Sequence, residues 1–469
     1  MKTTKLVALM LALLMVFSMV ACSSSTTETA TTEEAATEEA ATVTEEAAAE
    51  ETATEEPISY AGEKLVIWTN LTADAQYEVL TKQFTEVAEE LGVEVEIEKV
   101  AFNEMYGKLA TAASSGEVPD IMHTNFGGTA YLYAAESIMP MDDIIDAIGA
   151  DDFSEAYKTV LTGSDGHIYA IPDWAMHTSV WYRKDVFEAN GISVPTTWDE
   201  FLAAAEQLNS TEMSGFAVPL DSVQVAAQTL HEIMCSAGVY FMDPDTGEYC
   251  FDQEKEEAIQ VIDYLVELYQ NASPAGSLTW SWGDYRNALS VTGTVAMTLD
   301  MGAVIGNAQS NNPDMVENLG CFDFPGVDGE AVSSFGSGYC FVASPQEDDA
   351  RSALIADFLE ALYTPERAAE RALSRPMFAF PSYEPAFEIY KASDKVADFQ
   401  DEVDYIFEQF ENGTWYWYGM EAGLSAMSAY IESTNIFGEA LQGACDGTYT
   451  SEEAYNLIND DLLSFAGTM

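Results

Sequence analysis

The chain has 469 residues, with 17 Lys and Arg against 80 Asp and Glu, a formal net charge of −63, 15 Pro and 12% aromatic residues. That length holds two substantial domains and a large core. The charge excludes a general nucleic-acid binder and docking on an anionic membrane through a basic patch, and it favours a soluble monomer.

Residues 1–21 read as a targeting segment. Lys2 and Lys5 precede an apolar run over 6–20 that is too short and one-sided for a membrane span. The segment ends Met19-Val20-Ala21-Cys22, which is similar to a bacterial lipobox, with Met where Leu is usual. In such signals the Cys becomes the lipidated first residue, which implies Cys22 here; a plain secretory signal is the alternative. Residues 23–56 hold Thr, Ala and Glu with no Lys, Arg or aromatic residue. They have nothing to bury and their charges repel, so a disordered tether is expected. Extended, it would reach on the order of 110 Å at roughly 3.3 Å per residue.

The globular body starts near Pro57. Lys64-Leu65-Val66-Ile67-Trp68-Thr69-Asn70 reads as a buried strand entering a polar loop. Leu80, Phe84, Val87 and Leu91 share a helical face that Gly92 stops. Residues 93–97 alternate as a second strand, 106–115 read as a helix, and 120–122 as a third strand ending at His123-Thr124-Asn125. Alternating strands and helices predict an α/β sheet, with ligand bound outside the strands' carboxyl ends. That rule selects Trp68, Thr69 and Asn70, and His123, Thr124 and Asn125. Asp165-Gly166 predicts a turn. Pro172 argues against a central strand and for an exposed extended piece before a strand at 178–182. This stretch is either a crossover between two lobes or an ordinary loop.

The residues from Asp165 to Pro172, DGHIYAIP, resemble the "dGkiYalP" segment of the family 1 extracellular solute-binding proteins, the sugar-type receptors of ABC importers. Trp181 to Gly191, WYRKDVFEANG, resembles that family's "yYnkdlfekaGi", and PTTWDEFL from Pro195 its "P.TWdEll". KLATAASSGEVPDI from Lys108 and GTVAMTLDMG from Gly293 are similar to two further family segments, although the Trp often found after the latter strand is missing. The resemblance implies an α/β, two-lobed periplasmic-binding-protein-like fold of type II. It implies an N-lobe of residues 57–172 and 335–380, a C-lobe of 173–334 and 381–469, and interlobe crossovers. Asp173 and Trp174 at the first crossover, Gly336 and Ser337 at the second, and Arg375 at a third passage over 375–381 would contact the ligand.

Farther along, Thr197 and Glu200 predict a capping box. Asp243 to Gly247 predicts a hairpin turn, since the later Gly and terminal Glu of an EF-hand are missing. Trp282 lies in an aromatic loop and Asp300 at the end of a strand. Residues 254–270, 350–363 and 421–442 read as helices, with Thr364-Pro365 starting another. Trp415-Tyr416-Trp417-Tyr418 cannot all face one core. The run is either two buried and two surface residues, or a platform that stacks on a sugar, with Trp415 and Trp417 as ligand contacts. No nucleophile elbow, metalloprotease motif or phosphate loop is present. Neither an enzyme nor a cofactor or metal is expected. The five Cys beyond Cys22 are expected as free buried thiols.

The resemblance thus implies a lipoprotein on the extracellular face of the bacterial cytoplasmic membrane, held by Cys22. It would capture a carbohydrate by hinge closure and deliver it to an ABC permease powered by a separate ATPase. A receptor for a non-sugar solute or sugar phosphate, a secreted glycan-active enzyme and a surface scaffold stay open.

Overall fold

The computed structural model describes residues 60–469 except 72, 116 and 222. The targeting segment, Cys22, the tether and Pro57 lie outside the described residues. Eleven described strands form the framework: β1 (Lys64–Thr69), β2 (Glu94–Lys99), β3 (Ile121–Asn125), β4 (Ile171–His177), β5 (Ser179–Arg183), β6 (Ser214–Ala217), β7 (Val295–Asp300), β8 (Leu319–Phe322), β9 (Ser334–Ala343), β10 (Phe380–Pro381) and β11 (Trp415–Tyr416). They make two mixed sheets. The larger has the order β10-β4-β9-β3-β1-β2, with β11 also pairing on β9, and the smaller has the order β6-β7-β5-β8. Each sheet with its helices is one lobe of a two-lobed α/β fold.

Strand burial follows position in the sheet. β3 and β7 are buried at every residue, the continuous pattern of a strand covered on both faces. Glu94, Glu96 and Glu98 alternate outward on β2, which is an edge strand. The helix Asp74–Leu91 buries Leu80, Phe84 and Val87 and ends at Gly92 with φ +71°, which glycine adopts without a Cβ penalty. Phe84 packs against Phe341 of β9 and Phe358 of the helix Asp349–Leu362, at 6.2 and 6.0 Å between ring centres.

β4 stays in the larger sheet through His177, and Ser179 already begins β5 in the smaller. Thr178 is therefore where the chain changes sheets, inside the stretch read as a crossover. The exposed character expected for Pro172 is not found. β4 is buried at all seven residues. Its ladder to β9 shifts register between Pro172 and Trp174, with Asp173 as the bulged residue, and β10 covers only Trp174 and Ala175, so Pro172 sits beside a bulge with no partner on its outer side. The single helix expected over 421–442 is two, Ala426–Ile431 and Ile436–Asp446. Ser433, Thr434 and Asn435 interrupt it, residue types whose side chains compete with the helix backbone. All five described cysteines are free, and Cys321 and Cys340 sit on strands of different sheets.

Candidate functional site

A cavity of about 460 Å³ lies between the two sheets. It gathers residues at strand ends from both: Asn70 just after β1, Asn125 closing β3, Pro219 just after β6, and Asp300 closing β7. Parallel pairing of β1 with β3, and of β6 with β7, brings these ends to the same side of each sheet. β9 supplies a third wall. Phe335, Ser337 and Tyr339 face the cavity because alternate strand residues share a face. The helix Trp282–Ser290 places Trp282 and Arg286, four residues apart, on the opposite side. Its start is fixed by a capping box between Ser281 and Asp284.

The walls are aromatic and the polar groups are few. Trp282 is half-buried, and its indole donates to Gln228 Oε1 at 3.4 Å. Trp417 lies at 27° to Phe335 with 5.1 Å between centres, and its indole donates to Ser428 Oγ at 2.9 Å. It is 2% exposed, so it belongs to the core as well as to the cavity rim. Asn70 Oδ1, Thr178 Oγ1 and Ser337 Oγ are buried and have no hydrogen-bond partner within the protein. Buried polar atoms cost free energy unless paired, so these three suit a ligand rich in hydroxyls. Asp300 is engaged on both oxygens: Oδ2 accepts from Arg286 Nε at 2.5 Å and Tyr285 OH at 3.1 Å, and Oδ1 accepts from the Val304 amide at 3.1 Å. Burial alone would lower the Arg286 pKa, but the Asp300 carboxylate beside it reverses the sign and leaves it raised.

The expected residues divide according to where their side chains point. Asn70, Asn125, Trp282, Asp300, Ser337, Arg375 and Trp417 line the cavity. Trp68 does not, because its ring is buried beneath the Lys108 ammonium, 4.0 Å away. Asp173, on β4, is buried outside the cavity, where it accepts from Arg371 Nε at 2.5 Å and pairs with His123 Nε2 at 2.8 Å. Burial would raise the Asp173 pKa, but Arg371 and His123 together bring it below the usual range. Burial lowers that of His123 despite Asp173. Trp174 stands behind the wall, stacked on Tyr339 at 4.4 Å and 19°. Gly336 has the wrong parity on β9: it faces Trp415, whose Cε3 would lie 2.6 Å from an added Cβ. Trp415 is core, packed on Tyr157 at 4.7 Å.

Sequence reading missed Thr178, Gln228, Tyr285, Tyr339 and Phe378. One signal was available. Gln224 and Gln228 lie four residues apart on one face of the helix Val223–Ala237, and both line the cavity.

Gln224 also reaches Glu432, whose carboxylate accepts from Tyr106 at 2.9 Å and Tyr418 at 3.1 Å. Burial pushes the Glu432 carboxyl up to about 7, more than its three hydrogen bonds can offset. A carboxyl raised in the folded state binds its proton more readily there than in the unfolded chain. Its contribution is full below about 4.3 and is lost as pH rises through 7, on the order of 3 kcal/mol in all. Glu432→Gln should therefore be less sensitive than the parent to a change from pH 5 to pH 8 in urea unfolding. An unchanged pH slope would show that Glu432 does not titrate in this window.

The family model described as bacterial extracellular solute-binding protein matches residues 80–402. A "probable amino-acid ABC transporter periplasmic-binding protein" of Sinorhizobium fredii is 23% identical over 50% of this chain and 55% of its own length. An arabinooligosaccharide-binding protein of Halalkalibacterium halodurans is 23% identical over 66% of this chain and 69% of its own. The chain thus spans about half the length of the first of these relatives. A solute-binding protein of Agrobacterium radiobacter K84, solved with ribitol, superposes with a TM-score of 0.70 at 20% identity, covering 87% of this chain and 99% of that one. The family match spans well over half of the chain and agrees with the fold: this chain belongs to the bacterial extracellular solute-binding proteins.

Proposed function

We propose that this protein is the carbohydrate receptor of an ABC importer. One observation carries the reading: the cavity between the sheets joins Trp282 and Trp417 to the unpaired polar atoms of Asn70, Thr178 and Ser337. Aromatic faces pack against the C–H faces of a sugar ring, and the polar atoms fix its hydroxyls. Structural relatives solved with bound maltose, laminaribiose or tagatose support it. In this reading the lobe bounds implied by the resemblance, 57–172 with 335–380 and 173–334 with 381–469, shift with the sheets: residues 173–177 of β4 and 415–416 of β11 go with the larger one. Ligand held from both sides favours the closed form, which a permease then recognises. The receptor is a monomer, carries no catalytic machinery, and leaves ATP to a separate subunit. The test is a thermal-shift screen of mono- and oligosaccharides, with amino acids as the competing set. A sugar at about a hundred times its Kd should add roughly 2.7 kcal/mol of stability. A shift with amino acids and none with sugars would overturn the reading.

Anchoring belongs to the same proposal. Met19-Val20-Ala21-Cys22 supports lipidation at Cys22 and a place on the extracellular face of the bacterial cytoplasmic membrane. Cys22→Ala should move the protein from the membrane pellet to the soluble exported fraction. If the variant stays membrane-bound, Cys22 is not the anchor.

A further inference from the structure

The charged side chains lining the cavity are Arg286, Asp300 and Arg375, two cations to one carboxylate. The carboxylate is committed elsewhere. Both Asp300 oxygens are used by Arg286, Tyr285 and the Val304 amide. Arg375 is left over. Among the described residues no carboxylate lies within ion-pair distance of it, and its guanidinium donates no hydrogen bond. The Phe378 ring lies against it, with its centre 3.5 Å from the guanidinium carbon. That contact covers one face of the fork and leaves the N–H edge to the cavity's contents. Burial and the neighbouring Arg286 charge lower the Arg375 pKa to about 10, which still leaves it cationic at neutral pH.

A chain with a net charge of −63 therefore encloses a cavity whose lining carries a net +1. Surface charges more than about 8 Å away are screened in physiological salt, so the local pair sets the charge preference inside. A neutral sugar could accept hydrogen bonds from Arg375 but would leave its charge uncompensated. A phosphate, carrying close to two negative charges, would overshoot. A carboxylate matches the charge and accepts the planar fork through two parallel bonds. We propose that the bound carbohydrate is an acidic one, a uronic acid or uronate-containing oligosaccharide, with its carboxylate on Arg375 and its ring between the tryptophans. This rests on the carbohydrate reading of the site and deepens it.

The experiment is calorimetric titration of the protein with four kinds of probe at one pH and salt: galacturonate, its dimer, the corresponding neutral galactose sugars, and galactose 6-phosphate. The better uronate should bind at least about tenfold more tightly than its neutral counterpart. Arg375→Gln should bring that ratio to within about threefold, and Arg375→Lys should keep part of it. Circular dichroism and melting of both variants verify that they fold. Neutral sugars binding as tightly as uronates would overturn the proposal and leave the carbohydrate reading standing. So would a preference that survives Arg375→Gln, or tighter binding of the sugar phosphate. Binding by none of the four kinds of probe would overturn the proposal and count equally against the carbohydrate reading.

Discussion

Trp417→Ala is expected to lower both stability and affinity. The ring is 2% exposed, lies against Phe335 and bonds to Ser428, so its removal opens a core cavity costing roughly 3–5 kcal/mol. It also borders the ligand cavity, where loss of a central aromatic should weaken binding by roughly 2 kcal/mol or more, about thirtyfold. Trp282→Ala separates the two effects. Trp282 is half-buried with one weak hydrogen bond, so the same loss of affinity should come with little change in melting. Calorimetry and urea unfolding of both variants check this. If Trp417→Ala melts far lower yet binds the screened sugar like the parent, the ring is core alone.

The second large effect lies beneath the cavity. Arg371→Ala leaves the Asp173 carboxylate buried with only a hydrogen bond to His123. Removing one partner of a buried pair typically costs about 3–5 kcal/mol. The pH dependence carries a definite sign. Asp173 has a depressed pKa in the folded parent, so its stabilising contribution is present above about 3.9 and is lost as pH falls through the folded value. In the variant that depression is removed and Asp173 takes up a proton more easily. The stability gap between parent and variant should therefore narrow from pH 7 to pH 4. A double variant, Arg371→Met with Asp173→Leu, should be less destabilised than Arg371→Ala. A double variant at least as unstable would mean that packing around Arg371, not its charge, matters there.

The framework was legible because its signals are local. The run Leu65 to Thr69, the helical face Leu80, Phe84 and Val87, and the turn at Asp165-Gly166 each depend on neighbours within a few residues. The strand-end rule reached Asn70 and Asn125 for the same reason. It fixes position along a strand but not where a side chain points, and so it also selected Trp68, which Lys108 covers. Asp173 reads as a polar crossover residue until Arg371, 198 positions later, is brought against it. Gly336 and Trp415, both expected as ligand contacts, fill each other: the glycine makes room for the indole. No local pattern carries that pairing. The aromatic run fits neither simple alternative, with Trp415, Trp417 and Tyr418 buried and Tyr416 half-buried. β11 ends at Tyr416 and the chain turns at Gly419, with φ +73°, so strand alternation no longer governs Trp417 and Tyr418.

The central claim is that solute is held in one cavity by both lobes together. Calorimetric titration of the screened sugar into the parent, Asn125→Ala and Trp282→Ala tests it most directly, since Asn125 closes a strand of the larger sheet and Trp282 begins a helix of the smaller lobe. The account predicts one saturable site in the parent and a loss of about tenfold or more in each variant, with folding intact. Full affinity in either variant would contradict it, because the ligand would then be held without that lobe.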